Sequence, residues 1–319
     1  MRTIGVLTSG GDAPGMNAAI RAIVRTCIYN GIRVMGIRSG YEGLITGDIY
    51  EMNVSSVADI IQRGGTILGS ARCEEFKTKE GAEKGKRILS EFGIDGLIVL
   101  GGDGSFKGAE VLHNMGVKTA GIPCTIDNDM GYTNYTIGFY TAVETVADAM
   151  GKIRDTSSSH GRANIIEVMG RNCGDLALFA GIAGGAESII VPEIPFEIEK
   201  VTNRIMAGRK RGKLHHLIVL AEGVGGAYEL KEMIQDSTGV ETKVTILGHV
   251  QRGGTPSAQD RLLASEMGNK AVNALIEGQS GIAFALKGNE VTTVTIPEAV
   301  STKRQINREL YDMVNEISI

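Results

Sequence analysis

The residues best placed for chemistry in this chain begin at Leu97-Ile98-Val99-Leu100-Gly101-Gly102-Asp103-Gly104-Ser105. An apolar strand pattern ends in three glycines around one aspartate, and a helical pattern follows from Ser105. Such a loop lets a polyphosphate approach the backbone closely, with the first amides of the helix pointing at it. Asp103 adds a hard oxygen for Mg2+, directly or through water. Gly102, Gly104 and Gly108 also make a loosened dinucleotide fingerprint. An aspartate inside the loop repels a bare pyrophosphate but serves a metal bridge, so the residues favour a triphosphate with magnesium.

The second stretch is Gly121-Ile122-Pro123-Cys124-Thr125-Ile126-Asp127-Asn128-Asp129. Two carboxylates two residues apart lie on one side of an extended chain. One can accept a proton from an attacking hydroxyl while the other holds a metal or positions the first. The same letters also suit a plain Asp-Asn-Asp turn closed by local hydrogen bonds. A third stretch, Thr8-Ser9-Gly10-Gly11-Asp12-Ala13-Pro14-Gly15, joins a strand to a helix and has the same phosphate-facing character. Glycine is common at such junctions for steric reasons alone, so this stretch stays open between the two readings.

The elements that must position these residues alternate. Short β-branched runs (4–8, 33–36, 96–100, 119–123, 164–168, 188–191, 217–221, 243–247) alternate with helical patterns (16–30, 55–62, 79–92, 106–114, 139–154, 175–183, 198–211, 228–235, 258–277, 304–317). That order predicts a largely parallel α/β protein. Open α/β sheets bind ligands beyond the carboxyl ends of their strands, which is where the first two stretches fall. Gln62-Arg63-Gly64-Gly65-Thr66 recurs as Gln251-Arg252-Gly253-Gly254-Thr255, as related half-sites or by chance.

The 319 residues predict two domains, and 42% apolar content is enough to fill them. A net charge of −4 argues against a nucleic-acid partner. No apolar run is long enough to span a bilayer, and Met1–Val6 opens in strand-like sequence without signal-peptide anatomy, which predicts a cytoplasmic location. Cys27, Cys73, Cys124 and Cys173 lack metal or disulfide spacing and read as free thiols.

Five segments together resemble the bacterial ATP-dependent 6-phosphofructokinases. They are 5–12, 101–105, 125–129, Glu167-Val168-Met169-Gly170-Arg171 and Leu247-Gly248-His249-Val250-Gln251-Arg252-Gly253-Gly254, in family order over essentially the whole chain. The resemblance implies two doubly wound, mainly parallel-sheet α/β domains: residues 1–139 with 251–303 for ATP, and 140–250 with 304–319 for fructose 6-phosphate. It implies Asp127 as general base, supported by Thr125, Asp129, Arg171 and Arg72. Gly11, Arg72, Cys73, Gly102, Asp103, Gly104 and Ser105 would contact ATP, with Asp103 at Mg2+. Thr125, Ile126, Asp127, Met169, Gly170, Arg171, Glu222, His249, Val250, Gln251 and Arg252 would hold the sugar phosphate. Arg162 and Lys243 would reach its phosphate from a neighbouring subunit of a homotetramer. Guanidinium suits these roles, because it stays charged and forks onto phosphate oxygens.

Arg21 and Arg25 share a helix face. With Arg154, Gly185, Ala186, Glu187, Arg211, Lys213, Leu214 and His215 they match the family's effector site for ADP or phosphoenolpyruvate. From the residues alone they could equally be solvated surface charge. His215 or His216 could make that site pH-sensitive near neutrality.

Pyrophosphate-dependent relatives carry aspartate where this chain has Gly104 and lysine where it has Cys124, so ATP is the expected donor. Three positions depart from the family pattern. Cys124 replaces glycine. Lys243 replaces arginine and loses the bidentate fork. Gly161 replaces the glutamate thought to exchange places with the arginine at Arg162, which predicts weak cooperativity. Two readings compete with a phosphofructokinase. One is an inactive binding regulator, which the presence of Asp103, Asp127 and Arg171 does not favour. The other is a lipid or NAD kinase, which leaves Glu222 and His249–Arg252 unexplained.

Overall fold

The computed structural model describes residues 1–318; Ile319, the last residue of the expected second domain, lies outside the described residues. The chain divides into two compact units. The first comprises Met1–Ile126, Met130–Thr141 and Arg252–Lys303; the second comprises Asp127–Asp129, Ala142–Gln251 and the chain from Arg304 onward.

The first unit holds a seven-stranded sheet built from β1 (Thr3–Thr8), β2 (Arg33–Ile37), β3 (Ile49–Met52), β4 (Gly96–Gly101), β5 (Lys118–Pro123), β10 (Ile282–Lys287) and β11 (Glu290–Thr295). Its order is β11-β10-β5-β4-β1-β2-β3. The five central strands are parallel, while β3 and β11 are antiparallel edges. β1 is buried throughout, as a parallel strand covered on both faces must be. Its helices are α1 (Met16–Tyr29), α2 (Gly40–Thr46), α3 (Lys79–Glu91), α4 (Asp103–Asn114), α9 (Ala258–Ile276) and α10 (Ile296–Ser301). α1 packs on α9. They come close enough that a Cβ on Gly268 would stand 2.8 Å from Ala19 O. A cluster of Leu7, Ile37, Leu44, Leu97, Val99 and Phe106 fills the space under α2, α3 and α4.

The second unit holds four parallel strands, β6 (Ala163–Val168), β7 (Ser188–Ile190), β8 (His216–Ala221) and β9 (Thr242–Ile246), in the order β7-β8-β6-β9. Its helices are α6 (Asp175–Ala183), α7 (Ile198–Lys210), α8 (Ala227–Thr238), α11 (Arg308–Ile317) and most of α5 (Phe139–His160). Ile165, Ile190, Val201, Ile218, Leu220, Leu230 and Ile234 form its core.

Three sequence expectations are corrected, and one hairpin is added. The helix over 55–62 is a short 3-10 turn, Val54–Val57, capped by Asn53 and ended by extended Ala58. α4 begins at Asp103 rather than after Ser105, so the glycine-rich loop is itself the helix's first turn. The last helix begins at Arg308, not Arg304, because the Asn307 side chain caps it by accepting from Leu310 N. The β10–β11 hairpin went unread although Gly288-Asn289 is a two-residue turn signal.

Candidate active site

In the first unit the chain reverses its direction of travel across the sheet between β1 and β4, and this switch point is where open α/β sheets bind ligands. Both glycine-rich junctions emerge there. Ser9 N donates to Leu100 O at 2.9 Å, and Ser105 Oγ donates to Ser9 O at 3.1 Å, which stitches the two loops together. The neighbouring β5 leads into Thr125; Cys124 N donates to Gly101 O at 3.0 Å. A Cβ on Gly102 would lie 4.0 Å from Thr125 Cβ. Three of the sequence-predicted segments therefore converge at adjacent strand ends.

Asp103 opens α4 half-buried, its Oδ2 2.6 Å from Lys107 Nζ. Among the described residues no group of three or more His, Cys, Asp or Glu could hold a metal. One carboxylate at a phosphate-accepting helix end still fits Mg2+, which takes one or two protein carboxylates and completes its shell with phosphate oxygens and water. Gly104 is exposed, and no atom lies within 4 Å of where its Cβ would stand.

Arg72 is exposed and Cys73 half-buried on a loop pinned to the β1 end. Thr8 Oγ1 donates to Gly69 O at 2.7 Å, and Asn17 Nδ2 donates to Arg63 O and Gly64 O at 3.1 Å each. The two repeat segments meet here, since a Cβ on Gly64 would stand 2.3 Å from Gly254 O. Arg252, expected at the sugar phosphate, lies on the first junction in this unit: its Nη1 donates to Asp12 O at 3.3 Å and occupies the space a Gly11 side chain would need.

In the second unit β6 and β8 deliver Met169–Arg171 and Glu222. The turn after β6 places Gly170 at φ 129° and Arg171 at φ 53°. Arg171 N donates to Glu222 Oε1 at 2.8 Å, and Met169 N donates to Gln251 Oε1 at 3.1 Å. The Arg171 Nε lies 3.3 Å from Asp127 Oδ2 and its Nη1 4.0 Å from Asp129 Oδ2. Asp127 is buried, Asp129 half-buried and Arg171 exposed. The base candidate thus sits against a cation that can still reach solvent or a ligand. Burial, and secondarily the charge of Glu222, pushes the Glu167 carboxyl up. His249 and Val250 are exposed beyond β9.

Arg162 and Lys243 lie at the opposite, amino-terminal edge of this sheet. The six residues of β6 span about 20 Å, so these cations do not converge with Arg171 within the chain. Both instead grip Glu241, at 2.7 Å from Arg162 Nε and 2.8 Å from Lys243 Nζ. Hydrogen bonds from Lys243 and then Arg162 pull the Glu241 carboxyl down to about 2. Sequence reasoning missed Glu241, although its i,i+2 relation to Lys243 on a strand was a usable signal.

The effector candidates at the same edge are only partly assembled. Lys213 Nζ lies 2.5 Å and His215 Nε2 3.7 Å from Glu187 Oε1, and Arg154 bonds the carbonyls of Gly184 and Gly185. A cavity there is lined by Gly185, Ala186, Glu187 and Lys213. Arg211 and Leu214 are exposed, and Arg21 and Arg25 lie on α1 in the first unit. Burial pushes His216 down to about 4, which removes it as a sensor near neutrality; His215 is also lowered, mainly by burial.

The family model described as Phosphofructokinase matches residues 3–275. A curated protein from Finegoldia magna named ATP-dependent 6-phosphofructokinase is 72% identical over the full length of both chains, and one from Alkaliphilus metalliredigens with the same name is 58% identical over the same span. The structure of phosphofructokinase from Saccharomyces cerevisiae superposes with a TM-score of 0.92 at 35% identity, covering 98% of this chain and 50% of the yeast chain. A pyrophosphate-dependent phosphofructokinase from Marinobacter aquaeolei shares the fold at a TM-score of 0.85 but only 20% identity, over 98% of this chain and 91% of its own. The chain belongs to the phosphofructokinase family of enzymes.

Proposed function

We propose that this chain is an ATP-dependent 6-phosphofructokinase that transfers the γ-phosphoryl of ATP to the 1-hydroxyl of fructose 6-phosphate, giving fructose 1,6-bisphosphate and ADP. The observation that carries the reading is the Arg171 guanidinium against Asp127 and Asp129 at the carboxyl edge of the smaller sheet. Full-length relatives that bear this name support it.

In this reading the first unit binds ATP through Gly11, Arg72, Cys73 and Gly102 to Ser105, and the second holds the sugar phosphate. Asp127 takes the proton of the 1-hydroxyl as its oxygen bonds to the γ-phosphorus, and the bond to the β,γ-bridging oxygen breaks to release ADP. Arg171 shifts its charge onto the transferred group, while Thr125 and Asp129 orient the base. Asp103 would hold Mg2+, which would supply positive charge against the phosphate oxygens of the donor. Met169, Glu222 and His249 contact the sugar. Arg162 and Lys243, too far along β6 and β9 to serve Arg171 of their own chain, reach the substrate phosphate of a neighbouring subunit in a homotetramer. The enzyme acts in the cytoplasm, with ADP or phosphoenolpyruvate as effector beside Glu187 and Lys213.

Formation of the sugar bisphosphate, measured with fructose 6-phosphate and other sugar phosphates as acceptors and with ATP or pyrophosphate as donor, tests the reading. Turnover is expected with ATP and fructose 6-phosphate. Preference for pyrophosphate, or for another sugar phosphate, would overturn it.

A further inference from the structure

The turn between Asp127 and Asp129 is held by a part of the second unit that the catalytic reading does not use. Asn128 sits at φ 51°, a left-handed conformation uncommon for a residue with a side chain, and it is wholly buried. Its Nδ2 donates to Asp175 Oδ2 at 2.8 Å. That oxygen also accepts from Arg304 Nε at 2.8 Å and lies 2.6 Å from Arg304 Nη2. Asp175 is 1% exposed, and a buried charge of this kind persists only when paired and hydrogen-bonded. Arg304 supplies the pair. Cys173 Sγ lies 3.8 Å from Asn128 O.

The five residues Arg171 to Asp175 therefore grip the turn from both sides. Arg171 reaches the two flanking carboxylates, and Asp175 anchors the amide between them. We propose that Asn128 is a positioning residue: the neutralised Asp175–Arg304 pair fixes its left-handed backbone, and that backbone aims the Asp127 carboxylate. A freely turning Asp-Asn-Asp loop would hold Asp127 over a range of directions, whereas proton transfer needs one. The inference rests on the reading of Asp127 as the base.

Removing Asp175 or Arg304 would leave its partner charged and buried, and could unfold the unit. Asn128→Gly avoids this, because glycine tolerates the positive φ and leaves the Asp175–Arg304 pair intact. In the assembled enzyme kcat is expected to fall about 10- to 100-fold. Half-saturation for fructose 6-phosphate and ATP should stay within about twofold, since the binding groups are untouched. Unchanged kcat, or a loss confined to Tm or to half-saturation, overturns the proposal. Asp127→Asn measured alongside separates the two failures. Full kcat in Asp127→Asn removes the base and the inference with it; an inactive Asp127→Asn beside a fully active Asn128→Gly removes the tether alone.

Discussion

The Arg171 guanidinium and the Asp127 carboxylate lie 3.3 Å apart, one largely in solvent and the other almost fully buried. The pairing joins a turn after β6 to a turn after β5 and couples the proposed base to the proposed charge stabiliser. Under the proposed function, a phosphoryl group arriving at Arg171 would compete with Asp127 for the same guanidinium, and Arg171 would release the base as it takes up the charge of the transferred group.

Gly104 should govern the choice of donor. A Cβ there meets no protein atom within 4 Å, and the position lies in the first turn of α4, where an acidic residue is favourable. Gly104→Asp should therefore fold with an equal or slightly higher Tm, the propensity gain of aspartate over a helical glycine being roughly 0.3 kcal/mol. Its carboxylate would stand where the nucleotide phosphates approach, so kcat/KM for ATP should drop by at least about tenfold. Thermal melts and steady-state kinetics decide this; unimpaired use of ATP would count against the donor assignment.

Glu241 should act as an internal rival for the substrate phosphate. It holds both Arg162 and Lys243, and a phosphate must displace it to reach them. Glu241→Gln is expected to lower half-saturation for fructose 6-phosphate about two- to fivefold with kcat unchanged, on the scale of an exposed ion pair. Lys243→Arg should lower it as well by restoring the fork. A rise in half-saturation in Glu241→Gln would mean that the carboxylate organises the cations instead.

Gly161 bears on cooperativity. It adopts φ 67°, and its carbonyl accepts from Arg209 Nη1 at 3.0 Å, so the backbone there is fixed without any side chain to exchange with Arg162. The affinity difference between two states that drives sigmoidal binding should be small. Initial rates against fructose 6-phosphate should give a Hill coefficient close to about 1. A strongly sigmoidal curve at neutral pH would refute this.

His216 should set an acid limit on stability. Burial depresses it from 6.5 to about 4 in the folded chain, with Ser188 Oγ 3.2 Å from its Nε2. Below 6.5 the unfolded chain takes up a proton that the folded chain refuses. The stability contribution is therefore intact above 6.5 and is lost as pH falls toward about 4. The full loss is on the order of 3 kcal/mol. Tm of the unaltered protein should fall more steeply over that window than Tm of His216→Gln. Parallel curves would contradict it.

Much of this was legible in the sequence. Periodicity placed most of the parallel strands, and the glycine-rich segments marked the strand ends that converge at the β1/β4 switch point. Local pattern failed where distant residues decide. The stretch 55–62 has helical spacing, yet Asn53 caps a single turn and Asp59 takes φ 53°. Asp175 reads as an ordinary acidic helix start, and nothing near it points to Asn128, 47 residues away. Arg252 likewise rests its guanidinium on Gly11 and Asp12, a contact across 240 positions that local pattern does not show.

Asp127 as the base is tested most directly by the kcat of Asp127→Asn with saturating ATP and fructose 6-phosphate. A fall of about 100- to 10,000-fold is expected, with half-saturation for both substrates little changed, because the amide fills the same space and cannot take the proton. A kcat within about threefold of the unaltered enzyme would contradict it.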